Sequence, residues 1–363
     1  MRVIVKIGTS SLTADSGEVN LAALSKLVSQ VVSAREGEHA IIIVTSGAIT
    51  AGVQRLGITR PDEPEILQAI SAVGQIDLMR AYRDEFDAHK VATGQVLLAP
   101  HAFRDRNQYL HAEATFTHLL RLSVVPIVNE NDAVADDAIR YGDNDRIAAL
   151  VANLMRADLL VLLTDTPGLL TADPRLEPEA TLIEEIAAID ESLQEVAGSA
   201  GLRGSGGMAS KLAAARMASW SGVRTVIAAA DRDNVLADAM AGISGIGTAV
   251  PARKIRVSAR KLWIGFAVAA NGRITVDDGA AKALRQSGGS LLTAGIVNVE
   301  NTFGVGEAVE IVNLSGEVFA KGLSAFDSAT ANRWKGSRTE ELPVGTSPVA
   351  IHRDDLVVLD DPE

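Results

Sequence analysis

Six short apolar runs punctuate the first 250 residues, at positions 3–7, 40–44, 91–98, 124–128, 159–163 and 225–229. Stretches with helical spacing fill the intervals between them. In residues 21–32 the apolar positions Leu21, Leu24, Leu27, Val28, Val31 and Val32 recur at three and four, and Asn20 stands where an N-cap is wanted. Residues 65–86, 106–122, 146–156 and 208–220 read as further helices. Strands that are apolar throughout and alternate with helices must be buried on both faces. The expectation is an α/β unit with a mainly parallel sheet sandwiched by helices.

The texture changes after Pro251. Residues 252–261 (ARKIRVSARK) carry five positive and no negative charges. Beyond them come short strands with glycine turns, at 273–276, 308–312, 318–322 and 349–352, and two short helices near 280–286 and 328–334. This pattern predicts an α/β domain over 1–251, a basic linker over 252–261 and a small α+β domain over 262–363. From Leu262 onward there are 8 Lys and Arg against 14 Asp and Glu, a net of −6. That sign opposes a phosphate-backbone footprint, so nucleic acid is not an expected partner. An RNA-binding or regulatory role for the C-terminal unit remains the alternative from another functional class.

Absences narrow the chemistry. The 363 residues include no cysteine, which removes disulfides, thiol nucleophiles and Cys-based metal sites. The six histidines (His39, His89, His101, His111, His118 and His352) show no metal-binding spacing. The most apolar long window, 147–163, is broken by Asn153, Arg156 and Asp158, and the N-terminus lacks a signal-peptide pattern. The expected setting is cytoplasmic, with no membrane. A net charge of −12 disfavours general polyanion binding but leaves room for an anionic substrate in a locally basic pocket.

In a parallel sheet, ligands gather beyond the carboxyl ends of the strands, and polar residues concentrate there. The first run delivers Lys6 followed by Gly8, Thr9 and Ser10; the second delivers Thr45-Ser46-Gly47-Ala48. Run 124–128 ends in Asn129-Glu130-Asn131-Asp132. Gly142-Asp143-Asn144-Asp145 comes directly before the helix expected at Arg146, which one of the two acids should cap. Run 159–163 delivers Thr164-Asp165. A glycine-rich stretch, 201–207, leads into a helix with Lys211 in its first turn, suited to a nucleotide polyphosphate although its spacing is not that of a Walker loop. Two lysines on glycine-rich elements, without paired histidines or cysteines, point to phosphoryl transfer, where positioning and charge neutralisation dominate.

Together, Val5-Lys6-Ile7-Gly8-Thr9-Ser10, Val44-Thr45-Ser46-Gly47-Ala48-Ile49, Val128-Asn129-Glu130-Asn131-Asp132, Gly142-Asp143-Asn144-Asp145, Leu163-Thr164-Asp165 and Gly206-Gly207-Met208-Ala209-Ser210-Lys211 resemble the motifs of the amino-acid kinase family, in its glutamate 5-kinase branch. The region from about 262 resembles the PUA domain that many bacterial members carry. The resemblance implies phosphorylation of the side-chain carboxylate of L-glutamate by ATP with Mg²⁺ bound mainly through the nucleotide phosphates, opening proline biosynthesis. It implies catalytic roles for Lys6, Asp145 and Lys211, and glutamate binding by Ser46, Asp132 and Asn144. ATP binding falls to Lys6, Gly8, Thr164, Asp165, Ser205, Gly206, Gly207, Met208, Ala209, Ser210 and Lys211, with no metal ligand from the protein. Ser205 departs from the threonine of many relatives but keeps the hydroxyl. Proline as feedback inhibitor, a homodimer or homotetramer, and coupling to glutamyl-phosphate reductase are further implications. Sibling acceptors on the same fold are aspartate, N-acetylglutamate, carbamate and UMP. An acetylated amine would not use Asp132 as counter-ion, and UMP would call for more positive residues at the acceptor end.

Overall fold

The computed structural model describes residues 1–14, 16–99, 103, 106–134, 144–172, 177, 179–186, 207–254 and 256–359. The chain divides into two compact units, Met1–Arg256 and Val257–Glu363.

The first unit is built on seven strands: β1 (Arg2–Ile7), β2 (Ala40–Val44), β3 (Thr93–Leu98), β4 (Val125–Glu130), β5 (Leu159–Thr164), β6 (Arg224–Ala229) and β7 (Thr248–Val250). Their order is β3-β4-β2-β1-β5-β6-β7, parallel except for β7, which pairs antiparallel with β6. The expected mainly parallel, helix-flanked sheet is therefore present. Its helices are α1 (Thr9–Leu12), α2 (Leu21–Glu36), α3 (Ala48–Leu56), α4 (Pro64–Ala88), α5 (Arg106–Arg121), α6 (Asn144–Leu154), α7 (Met208–Trp220) and α8 (Val235–Ala241). Asn20 caps α2 by accepting a hydrogen bond from the Ala23 N–H, as its position suggested.

Strand alternation decides what each residue of β1 does. Val3, Val5 and Ile7 face one side and pack with Leu24, Leu27, Val28 and Val31 of α2 and with Leu78, Tyr82 and Phe86 of α4. Each such side chain contributes about 1.5–3 kcal/mol by leaving water. Lys6, two positions from Ile4 and in register with Val44 of β2 and Leu162 of β5, projects from the other face.

Three boundaries differ from the sequence expectation. Strand β4 runs on through Asn129 and Glu130, which pair with Leu97 and Leu98 of the edge strand β3, so these two polar residues are buried strand residues rather than a loop. Strand β3 starts at Thr93, because the N–H of Val91 completes the end of α4 by bonding to Phe86 O. Helix α6 begins at Asn144, two residues early. Asn144 and Asp145 occupy its first turn and Asp145 is not a cap, since Lys6, Lys211 and Ser210 take its carboxylate. Asp143 lies outside the described residues.

Helices α3 and α4 cross at two glycines. A Cβ on Gly74 would sit 1.9 Å from Ala48 O and 2.2 Å from Gly52 N, and one on Gly52 would sit 2.1 Å from Ile70 O. Only glycine permits this approach, which brings the Ser71–Gln75 turn of α4 against the ends of β2 and β4.

The second unit has a five-stranded sheet in the order β10-β8-β11-β12-β14, from β8 (Gly272–Val276), β10 (Ile296–Glu300), β11 (Ala308–Val312), β12 (Val318–Leu323) and β14 (Leu356–Val358). A two-stranded ribbon pairs β9 (Leu291–Leu292) with β13 (Val349–Ile351). Helix 278–287 is capped by Asp277 and helix 328–334 by Asp327. The β11–β12 turn uses Gly316 at φ 85° and Asn313, whose Oδ1 accepts from the N–H groups of Ser315 and Glu317. Strands β9, β10 and β14 are not among those read from the sequence; β9 and β14 span only two and three residues, too few to show a period.

Candidate active site

The carboxyl ends of β1, β2, β4 and β5 open toward the first turns of α6 and α7, and the polar residues meet there. Lys6 Nζ lies 2.6 Å from Asp145 Oδ1, and Lys211 Nζ lies 3.4 Å from Asp145 Oδ2. Ser210 donates its hydroxyl to the same Oδ2 at 2.7 Å. All three charged residues are at most 4% exposed. Burial alone would raise the Asp145 pKa, but Lys6, Lys211 and the hydrogen bonds together hold it below its ordinary value. Burial dominates at Lys211 and lowers its pKa. Asp145 opposes that shift, Lys6 reinforces it, and Asp165 opposes it more weakly. Two cations sharing one carboxylate leave the cluster with one unit of positive charge in a buried place.

A second group adjoins the first through the neighbouring residue. Asn144 Nδ2 donates to Ser46 Oγ and to Asn129 Oδ1, both at 3.1 Å. The backbone N–H of Glu130 donates to Asn129 Oδ1 at 2.9 Å and to Asn144 Oδ1 at 3.2 Å, and Asn129 Nδ2 donates to Gln75 Oε1 at 2.7 Å. A backbone N–H can only donate, so it fixes the orientation of both asparagine amides. Ser46 receives the Asn144 hydrogen and keeps its own O–H for a ligand. Gly47, at φ 105°, turns the chain from β2 into α3 beside it.

Asp132 forms the third part, in a single 3-10 turn after β4. Its Oδ2 accepts from the Ser71 hydroxyl. Burial raises the Asp132 pKa and the Ser71 bond partly offsets this. Ser71, Gln75, Glu130 and Asp132 share the lining of a cavity of about 510 Å³.

The remaining expected positions surround this core. Thr164 closes β5, buried, and donates to Asp165 Oδ1 at 3.1 Å; Asp165 is exposed. Gly8 begins α1, where an added Cβ would come 3.7 Å from Lys6 Nζ. Gly207 caps α7, with Met208, Ala209 and Ser210 in its first turn. The Ser210 N–H bonds back to Gly207 O, whereas the N–H groups of Met208 and Ala209, at the helix start, have no intrahelical acceptor and suit an anion. Ser205 and Gly206 lie outside the described residues. No cluster of three or more His, Asp or Glu able to hold a metal ion occurs among the described residues.

Sequence reasoning missed Ser71 and Gln75. They lie four apart on the buried face of α4, among Leu67, Ile70, Gly74, Leu78, Tyr82 and Phe86. A serine and a glutamine inside an apolar stripe were the available signal. Tyr82, whose hydroxyl donates to Thr45 Oγ1 at 2.9 Å, belongs to the same helix and steadies the residue before Ser46.

The carboxyl ends of the strands thus bring together a buried lysine pair bridged by one carboxylate, an oriented amide relay and a separate carboxylate. Residues 1–229 match the amino acid kinase family, and residues 272–344 match the PUA domain. The glutamate 5-kinase of Paraburkholderia phymatum is 42% identical over 364 residues, spanning 99% of this chain and 98% of that protein. The glutamate 5-kinase of Caldanaerobacter subterraneus subsp. tengcongensis is 43% identical over 366 residues, with the same coverage. The crystal structure of aspartate kinase from Synechocystis shares the fold, with a TM-score of 0.50 at 18% identity over 76% of this chain and 44% of that one. The chain belongs to the amino acid kinase family, within its glutamate 5-kinase branch.

Proposed function

We propose that this protein transfers the γ-phosphoryl group of ATP to the side-chain carboxylate of L-glutamate, forming L-glutamyl 5-phosphate as the first step of proline biosynthesis. The identity to glutamate 5-kinases over nearly the whole chain supports the acceptor. The observation that carries the chemistry is the Lys6–Asp145–Lys211 cluster. A glutamate side chain has a pKa of about 4.3, so at neutral pH the nucleophile is already ionised and needs no general base. The obstacle is repulsion between a carboxylate and a triphosphate. Lys6 and Lys211 offset it and stabilise charge on the group in transit, while Asp145 and Ser210 hold them in place before the substrates arrive. A carboxylate oxygen forms the new bond to phosphorus as the bond to ADP breaks.

Asp132 takes the α-ammonium, and Ser46 donates to the α-carboxylate. Asn144 acts mainly by orienting Ser46, since the Nδ2 hydrogens go to Ser46 and Asn129. Gly8, Thr164, Asp165 and the segment Ser205–Lys211 take the nucleotide. Mg²⁺ would be held mainly through the nucleotide phosphates, where it would neutralise part of their charge. The family resemblance extends the reading to proline feedback, a homodimer or homotetramer, and delivery of the labile product to glutamyl-phosphate reductase. No helix among the described residues is long and apolar enough to cross a membrane, which is compatible with a cytoplasmic enzyme.

The test is ADP release from Mg-ATP with L-glutamate, L-aspartate, N-acetyl-L-glutamate, carbamate or UMP, with hydroxylamine present to trap an acyl phosphate. Glutamate-dependent turnover with hydroxamate formation is expected. Turnover with another acceptor alone would overturn the substrate and keep the lysine roles.

A further inference from the structure

Gln75 is 9% exposed, and its two amide atoms fare differently. Oε1 accepts from Asn129 Nδ2 at 2.7 Å. Nε2 is buried and has no hydrogen-bond partner among the described residues. Buried donors are almost always satisfied, and because Gln75 lines the same cavity as Ser71 and Asp132, its unsatisfied donor points to a missing acceptor. The amide cannot turn over to relieve this. A flipped Gln75 would set its NH₂ against the NH₂ of Asn129, whose own orientation is locked by the backbone N–H of Glu130.

We infer that Gln75 is a substrate-binding residue whose Nε2 donates a hydrogen bond to the α-carboxylate of the amino-acid substrate. The inference rests on the glutamate-phosphorylating reading of the site. Gln75 sits one helical turn from Ser71, the partner of Asp132, and is linked through Asn129 and Asn144 to Ser46. It shares a cavity wall with Asp132, the acceptor for the ammonium, and a hydrogen-bond chain with Ser46, the hydroxyl for the carboxylate, the two groups carried by one α-carbon. One side chain then serves two ends: Oε1 keeps the asparagine relay polarised toward Ser46, and Nε2 reads the substrate directly. An acceptor lacking a carboxylate at that place would leave the donor buried and unpaired, which makes Gln75 a specificity device as well.

The experiment compares the full-length wild type with Gln75→Glu and Gln75→Met in the hydroxamate assay. Gln75→Glu keeps an acceptor for Asn129 and loses the donor, and Gln75→Met loses both at similar volume. Loss of one hydrogen bond to a charged group predicts a rise in the glutamate KM of roughly 10- to 100-fold, with the ATP KM within about twofold and kcat changed far less. A folded variant whose glutamate KM stays within about twofold of wild type would overturn the inference. So would a parallel loss in kcat and both KM values, which marks a structural role. If Gln75→Glu does not fold, Gln75→Met decides by the same criteria. Wild type without glutamate-dependent hydroxamate would instead remove the underlying functional reading, so the two failures are distinguishable.

Discussion

Replacing Asp145 by Asn removes one charge and keeps the shape, and the consequences can be worked from two distances. At an effective dielectric of about 20, the 2.6 Å contact to Lys6 and the 3.4 Å contact to Lys211 correspond to roughly 6 and 5 kcal/mol of gross attraction. Desolvating the carboxylate costs several kcal/mol, which leaves a net loss of about 3–5 kcal/mol, the range usual for removing one member of a buried ion pair. Two buried ammonium groups would remain without a counter-charge. The lysines would separate or one would lose its proton, and displacement of the groups that hold a phosphate by about an ångström lowers kcat by around 100-fold. The assay is urea unfolding followed by Trp220 fluorescence, with Trp263 and Trp334 replaced by Phe, together with kcat by ADP release. Saturating Mg-ATP should recover part of the lost stability, because the phosphates supply the missing negative charge. The acid limb gives a second signature. Asp145 has a folded pKa below 3.8, so its contribution is complete above that value and is lost as the pH falls through the lowered one. The Asn variant should lack this component. Destabilisation under about 1 kcal/mol with kcat within threefold of wild type would refute the reasoning.

Lys211→Ala should lower kcat by about 100- to 1,000-fold while changing the glutamate KM little, and a pure KM effect would remove its role at the transferring group. Asp132 has a raised pKa, chiefly through burial, so acidification toward that value should neutralise the ammonium acceptor. The glutamate KM should then rise before the ATP KM does, and parallel pH profiles would contradict the assignment. Gly74→Ala should force α3 and α4 apart, since the new Cβ meets Ala48 O at 1.9 Å. About 1–3 kcal/mol of stability should go, with a raised glutamate KM because Ser71 and Gln75 move with the helix; a variant as stable and active as wild type would show that the crossing is loose.

Much of the site was legible because the polar residues follow apolar strands in sequence. Lys6, Ser46 and Thr164 could be placed at strand ends by counting along the runs. The apolar run 124–128 stops before strand β4 does, because Asn129 and Glu130 look like loop residues until their ladder to β3 is seen. Helix α6 starts two residues before the expected Arg146, so of the two acids expected to supply its cap Asp145 lies inside the first turn, and Asp143 lies outside the described residues. An acid near a helix start ordinarily caps it, but a buried acid facing two lysines has stronger partners.

Local pattern by itself determined the class of fold and the residue types that converge on phosphate, since burial on both faces writes continuous apolar strands and a ligand-lined strand end writes polar ones. Only the tertiary structure decided which side chains cooperate. The strand order β3-β4-β2-β1-β5-β6-β7 brings Lys6 to Asp145 and Lys211, residues separated by 139 and 205 positions. The glycine contact between α3 and α4 then delivers Ser71 and Gln75 to Asp132 and Asn129. Hydrogen bonds reach about 3 Å and carry no trace in the spacing of residues along the chain, so the relay from Gln75 to Ser46 exists only once the helix and the strands are packed.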